Sequence, residues 1–314
     1  MVFLVLPRAL LSSVTTIWLS FGDFLQPATV CDTESRMYTP RPQINPTVRL
    51  CGLAPFPAAA AKLLRLSQDD ADLRTMQPIF AADPSLAADV LRLANSPLFP
   101  IRNEVRTVEH AVVLLGLERV RALATAIAMR GYSVGAGDVL YKRCWEHSVA
   151  CAVVAEEIAD FYAVSKAEAY TAGLLHDIGR IGLLKAYPTE YYSVLKMEYV
   201  KPSENLTLER TLLTMDHCQA GSFLTNIWTF PTALQMIAAS HHGAGGSNAS
   251  NLVNLIHPAC VLTDALGFAE VKHRSRMDIE RVSQQLLGEA AGRQFTRRAA
   301  VLEKRAKENI HQFS

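Results

Sequence analysis

The sequence predicts an all-α fold: a helical front half leading into a second helical bundle. Three observations carry this. From Leu50 onward no window alternates apolar and polar residues as a half-buried strand would. Apolar residues instead recur at helical spacing between residues that start or stop helices. And the histidines gather in the second half, most at predicted helix ends, where side chains from separate helices of a bundle converge.

The first 48 residues stand apart. Pro7 and Arg8 interrupt the apolar run MVFLVLPRALLSSVTTIWLSFGDFL early and Asp23 closes it, leaving an uninterrupted stretch of about 14 residues against the roughly 20 of a spanning helix. Three readings stay open: a poorly folded extension with Met37 as the true start, an interfacial anchor, or a signal sequence. Residues 37–48, with Pro40, Pro42 and Pro46, read as a linker.

Pro55 and Pro57 precede AAAAKLLRL, a helix opening. Asp83 and Pro84 read as N-cap and first residue of a helix carrying Leu86, Val90 and Leu93, which stops at Asn95-Ser96-Pro97. Thr107 caps a further helix that Gly116 breaks before ERVRALATAIAM. This half (49–135) holds only His110, read as a packed or surface residue, and is expected to be structural. A glycine-containing joint, Gly131 to Gly137, leads into residues 136–272. There, helix 139–162 carries His147; Ser165 and Glu168 form a capping box for a helix reaching His176; Asp216 caps one holding His217; Phe230-Pro231 opens one ending at His241-His242; and a last core helix brings Asp264. Pro258 suggests that this last helix starts after His257, which is read as structural. Residues 273–314 are charged and arginine-rich, as a solvated peripheral helix would be.

Composition narrows the function. Of 314 residues 50% are hydrophobic, and 31 Lys and Arg balance 30 Asp and Glu, so nothing marks nucleic acid or an anionic membrane as partner. The six cysteines form no C-x-x-C pair, which excludes a zinc ribbon; they read as reduced and mostly buried, as in a cytoplasm. Trp145, Trp228 and Phe230 read as core rather than as stacking platforms for a base.

Six of nine histidines lie between His147 and His257. Mixed imidazole and carboxylate donors suit Mn²⁺, Fe²⁺ or Zn²⁺. In Gly173-Leu174-Leu175-His176-Asp177-Ile178-Gly179-Arg180 an adjacent His-Asp pair in an apolar helix must send at least one polar side chain inward, and Asp177 has two oxygens with which to bridge two ions. Arg180, one turn after His176, reads either as a cation for a substrate phosphate or as a snorkelling surface arginine.

GLLHDIGR resembles the signature of the HD metal-dependent phosphohydrolases. With WEHSVACAVVAEEIA, MDHCQAGSFLTNIW, FPTALQMIAASHH and ADPSLAADVLRLANSPLF, residues 50–268 resemble the HDOD (HD-related output domain) family. The resemblance implies an HD-type helical bundle preceded by an N-terminal helical subdomain, in a bacterial cytoplasmic signalling protein with a protein partner. The alternative is an active metallophosphohydrolase acting on a nucleotide or phosphodiester, with Asp177 and Arg180 as its catalytic residues. By likeness to the HD-GYP phosphodiesterases, the implied ligands of one or two divalent ions are His147, His176, Asp177, His217, His241, His242 and Asp264. Of the pair His241-His242, one is expected to face inward. Arg143 stands where some of those enzymes place a glutamate ligand, which speaks against a third ion. GAGGSNAS replaces their Gly-Tyr-Pro motif after His242, which speaks against cyclic di-GMP hydrolysis.

Overall fold

The computed structural model describes residues 46–66, 72–101, 104–133, 139–199, 202–243, 249–273 and 277–313. The apolar extension and nearly all of the linker predicted before residue 48 lie outside these residues, as does Cys31. Among the described residues the fold is all-α, as predicted, and no helix is long and apolar enough to cross a membrane.

Helix α1 (Pro46–Cys51) begins within the expected linker, with Pro46 at its first position, where the missing N–H leaves no bond unmade. Helices α2 (Ala58–Arg65), α3 (Leu73–Ala81), α4 (Pro84–Ala94) and α5 (Val108–Leu115) build the front half. The predicted starts hold in detail: Asp83 Oδ1 accepts from the Leu86 N–H and Thr107 Oγ1 from the His110 N–H. Gly116 ends α5 at φ 85°, a backbone conformation that only glycine adopts without strain. Leu63, Met76, Phe80 and Val90 form a small core of their own. Helix α6 (Leu117–Ser133) joins this core to the main one: Val120 and Ala124 face the first, Ala122, Leu123 and Ala126 the second.

The main bundle follows: α7 (Val139–Ile158), α8 (Lys166–Leu175), α9 (Ile178–Ala186), α10 (Pro188–Lys196), α11 (Pro202–Leu213), α12 (His217–Ile227), α13 (Thr232–Ser240) and α14 (Asn251–Ala265). Two glycines set its close approaches. A Cβ on Gly173 of α8 would lie 2.8 Å from the Cys151 carbonyl oxygen of α7, and one on Gly179 of α9 would lie 1.9 Å from the His217 carbonyl oxygen of α12. Backbone thus meets backbone where His176, Asp177 and His217 are presented. Trp145, Trp228 and Phe230 are core residues, as predicted.

The structure departs from the sequence reading in three places. Helix α14 runs through Pro258 instead of starting there. Leu255, Ile256, Ala259 and Leu262 are all buried on both sides of the proline, and that burial outweighs the roughly 3 kcal/mol an interior proline costs. A two-residue parallel pairing, Glu198–Tyr199 (β1) with Lys272–His273 (β2), is too short to leave an alternating pattern. And the charged C-terminal segment is no solvated appendage. After α15 (Ile279–Leu287), helix α16 (Glu289–Phe313) buries Phe295, Leu302, Ile310 and Phe313 against the bundle, with α7 as a principal neighbour.

Candidate metal centre

Four helix ends and one helix interior deliver the site. His147 projects from the middle of α7; His176 closes α8 and Asp177 opens α9; His217 is the first residue of α12; His241 closes α13, with His242 after it. Asp216 places His217 through a reciprocal capping box with Gln219. All these ligand candidates are buried except His242, which is half-buried. Both histidines of the His241-His242 pair join the cluster, where one was expected; their rings lie 4.4 Å apart.

The donors are arranged for a cation. His176 Nδ1 lies 2.6 Å from the Gly173 carbonyl oxygen, which only accepts, so the proton is assigned to Nδ1 and Nε2 is left with its lone pair. His147 Nδ1 likewise faces the Phe268 carbonyl at 3.0 Å and Glu270 Oε2 at 2.9 Å. The two Nε2 atoms then meet at 3.3 Å. A second pair repeats the pattern: His217 Nδ1 donates to Glu209 Oε2 at 2.7 Å, and its Nε2 faces His242 Nε2 at 2.8 Å. Nitrogens bound side by side at about 2.0–2.1 Å from one ion would be about 2.9–3.4 Å apart, so both spacings are close to what one shared ion requires. Between the pairs, Asp177 Oδ1 lies 3.5 Å from both His217 Nε2 and His241 Nε2. Asp177 Oδ1 and His241 Nε2 are buried without a hydrogen-bond partner, an arrangement a folded protein rarely tolerates unless something occupies the gap.

Without an ion, protons take its place unevenly. Burial disfavours a charged His147, but Glu270 outweighs it and pushes the imidazole up to about 9, while burial and His241 hold its neighbour His176 down at about 3. In the second pair His217 is raised, Glu209 overcoming burial and Arg180, and His242 is lowered by burial and by His241. In each pair one imidazole is thus driven toward its charged form and the other toward the neutral one. Burial would raise the Asp177 carboxyl, but Arg180, His217 and His241 hold it well below the usual carboxylate range.

Arg180 fits neither sequence reading. It is 1% exposed, so it neither snorkels nor faces a substrate. Its Nε donates to Asp177 Oδ2 at 2.6 Å, one terminal nitrogen reaches Tyr191 Oη, Asn205 Oδ1 and Glu209 Oε1, and the other pairs with Glu270 Oε1 at 3.0 Å. It is a positioning residue: it ties together the carboxylates that orient His217 and His147. Asp264 also differs. Its Oδ1 lies 3.5 Å from His147 Nδ1, on the ring edge away from His176, so it sits beside the converging donors.

The sequence reading missed Glu209 and Glu270, whose contacts with histidine Nδ1 atoms fix ring orientation. Glu209 had one signal, the polar pair Asn205 and Glu209 a turn apart and in line with buried Leu213; Glu270, in the segment after α14, had none. It also missed two buried thiols beside the imidazoles: Cys260 Sγ lies 3.7 Å from His147 Nε2, and Cys218 Sγ 3.9 Å from His241 Nδ1. His257 Nδ1 faces the His241 carbonyl oxygen at 2.9 Å.

The model of the HDOD domain matches residues 53–244, more than half of the chain. The chain belongs to the HDOD family. An uncharacterized Treponema pallidum protein is 26% identical over 232 residues, 67% of this chain and 43% of its own length, so the HDOD chain spans less than half of that relative. A solved Shewanella amazonensis structure, provisionally named a phosphohydrolase, matches with a TM-score of 0.65 at 23% identity, covering 87% of this chain and 99% of its own. One from Marinobacter aquaeolei, provisionally named a signal transduction protein, matches at 0.62 and 22%, covering 86% and 62%. At these identities the likeness is one of fold.

Proposed function

We propose that this HDOD chain is a signalling module of the bacterial cytoplasm whose bundle (136–272), preceded by a helical subdomain (49–135), binds one or two divalent ions and acts through a protein partner. The observation that carries the metal is the pair of opposed imidazole couples around a partnerless Asp177 oxygen. His147 and His176 would hold one ion, His217 and His242 the other, with Asp177 between them and His241 facing the same carboxylate. Mn²⁺, Fe²⁺ and Zn²⁺ suit these donors; the buried thiols of Cys218 and Cys260 beside them favour the softer end.

Burial favours regulation over turnover. Hydrolysis needs an open coordination position and a pocket that grips a substrate, whereas these donors lie inside the bundle and Arg180 is saturated by protein acceptors. The second reading, a metallophosphohydrolase for a nucleotide or phosphodiester, is supported by the Asp177 oxygen between the two imidazole couples. Bound ions would supply polarisation of phosphoryl oxygens and a lowered pKa of bound water. The protein's part would be Asp177 holding the centre while Glu209 and Glu270 keep the His217 and His147 protons on Nδ1.

The test is elemental analysis of protein purified without chelator: about one to two equivalents of transition metal per chain are expected, most of it lost in Asp177→Ala. Absence of metal after growth in metal-replete medium overturns the proposal. Asp177→Asn then separates the readings. Loss of partner binding without any measurable wild-type hydrolysis supports regulation; a robust wild-type phosphodiesterase rate that the variant loses while keeping its partner makes the chain an enzyme.

A further inference from the structure

Outside the histidine cluster, a cavity of about 600 Å³ opens between the segment after α4, α6, α8 and the C-terminal helix α16. Its volume lies in the range of small-molecule sites. Leu98, Phe99 and Leu123 give it apolar lining; Arg119, Arg305, Asn309 and Gln312 give it polar lining, together with Glu308, whose carboxylate pairs with Lys304 at 3.7 Å. The two arginines lie 186 positions apart in the sequence and are brought together by one acid, Glu156 of α7. Arg119 meets Glu156 Oε1 at 2.5 Å and Arg305 meets Oε2, and the Glu156 side chain is only 4% exposed. One carboxylate thus faces two guanidiniums, and each makes this bond through a single terminal nitrogen. The Arg119 and Arg305 side chains remain 31% and 37% exposed, and both line the cavity.

We infer that this cavity binds a small oxyanion, a carboxylate or phosphate ester with a compact apolar body. Glu156 holds the guanidiniums in place before the ligand arrives, so little side-chain freedom is lost on binding, and their remaining N–H groups form the planar fork that carboxylates and phosphates accept from. The apolar body lies against Phe99, Leu98 and Leu123. The position suits an input: the ligand bridges the front half and the C-terminal helix, and Glu156 shares α7 with His147, nine residues or about 14 Å along the helix. That the ligand is the module's input rests on the signalling reading; that it binds does not.

The test is isothermal titration of the full, metal-loaded chain with phenyl phosphate and with phenylacetate, the two arms separating phosphate from carboxylate, and with uncharged benzyl alcohol as control. At least one oxyanion binds near 1:1 with a Kd below about 1 mM, and benzyl alcohol does not. Arg305→Gln, which leaves Arg119 to neutralise Glu156, weakens binding by about tenfold or more. Leu98→Trp, which fills the cavity from a half-buried position, abolishes it while Arg119, Arg305 and Glu156 stay intact. Metal content, measured on the same samples, stays at the wild-type level in both variants, so failure here is distinct from failure of the metal reading. No binding of either oxyanion at about 10 mM, or affinity unchanged in both variants, overturns the inference.

Discussion

Gly179→Ala tests whether the metal centre depends on backbone contact between two helices. A Cβ at Gly179 would lie 1.9 Å from the His217 carbonyl oxygen and 2.6 Å from the Gly221 nitrogen, both main-chain atoms that no rotamer change can move. The first is about 1.5 Å short of ordinary contact, so α9 and α12 must part by a comparable amount. Overpacking of this kind costs about 1–3 kcal/mol, and a clash with backbone belongs at the upper end, equivalent to roughly 5–10 °C in Tm. The larger effect is on metal. Asp177 stands two residues before Gly179 and His217 opens α12, so the same displacement separates donors whose bond lengths tolerate only about 0.2 Å. Metal affinity should fall by at least about 100-fold, read by competition with a chromophoric chelator, alongside a thermal melt. Gly131→Ala is the control: it lies in α6 with nothing within 4 Å of the added Cβ, and should leave Tm equal or slightly raised. Wild-type Tm and full metal content in Gly179→Ala would refute the reasoning.

Glu209→Gln should lower metal affinity by about 10–100-fold, because it weakens the acceptor for His217 Nδ1 and removes a charge partner of Arg180; the same chelator competition measures it. Metal affinity should rise with pH through the neutral range to at least about 9, since His147 and His241, each pushed up to about 9, and His217, raised as well, must lose a proton to ligate; the slope is at least about one decade per pH unit, and a flat profile would refute it. Deleting residues 289–313 should cost about 5 kcal/mol or more by urea unfolding, since it removes Phe295, Leu302 and Phe313 from the core.

Much of this was legible because it is local. Asp83, Thr107, Ser165 and Asp216 cap the helices their spacing announced, and an adjacent His-Asp pair in an apolar run had to place polar groups inside. What escaped is long-range. Arg180 is indistinguishable from a surface arginine until Glu209 and Glu270, 29 and 90 residues later in the sequence, are seen to close around it. Asp264 shares the ligand chemistry but lands on the wrong edge of the His147 ring. The C-terminal helix looked solvated because its nine charged residues outnumber its five large apolar ones, yet a few well-spaced large ones suffice to dock it. Pro258 marks a helix start on local grounds alone; tertiary burial decides otherwise.

The single guanidinium of Arg180 has a consequence for how the two imidazole couples fill. It contacts Asp177, the acid that sets His217 and the acid that sets His147 at once. If two ions bind as proposed, one entering either couple would still a group on which the other couple also leans, so the second would meet a partner already ordered. By reciprocity the effect would run both ways, and where this ordering exceeds the repulsion between the two cations, singly loaded chains would become scarce. The centre would then answer a gradual change in free metal with an abrupt change of state, behaving as a threshold detector and not as a buffer.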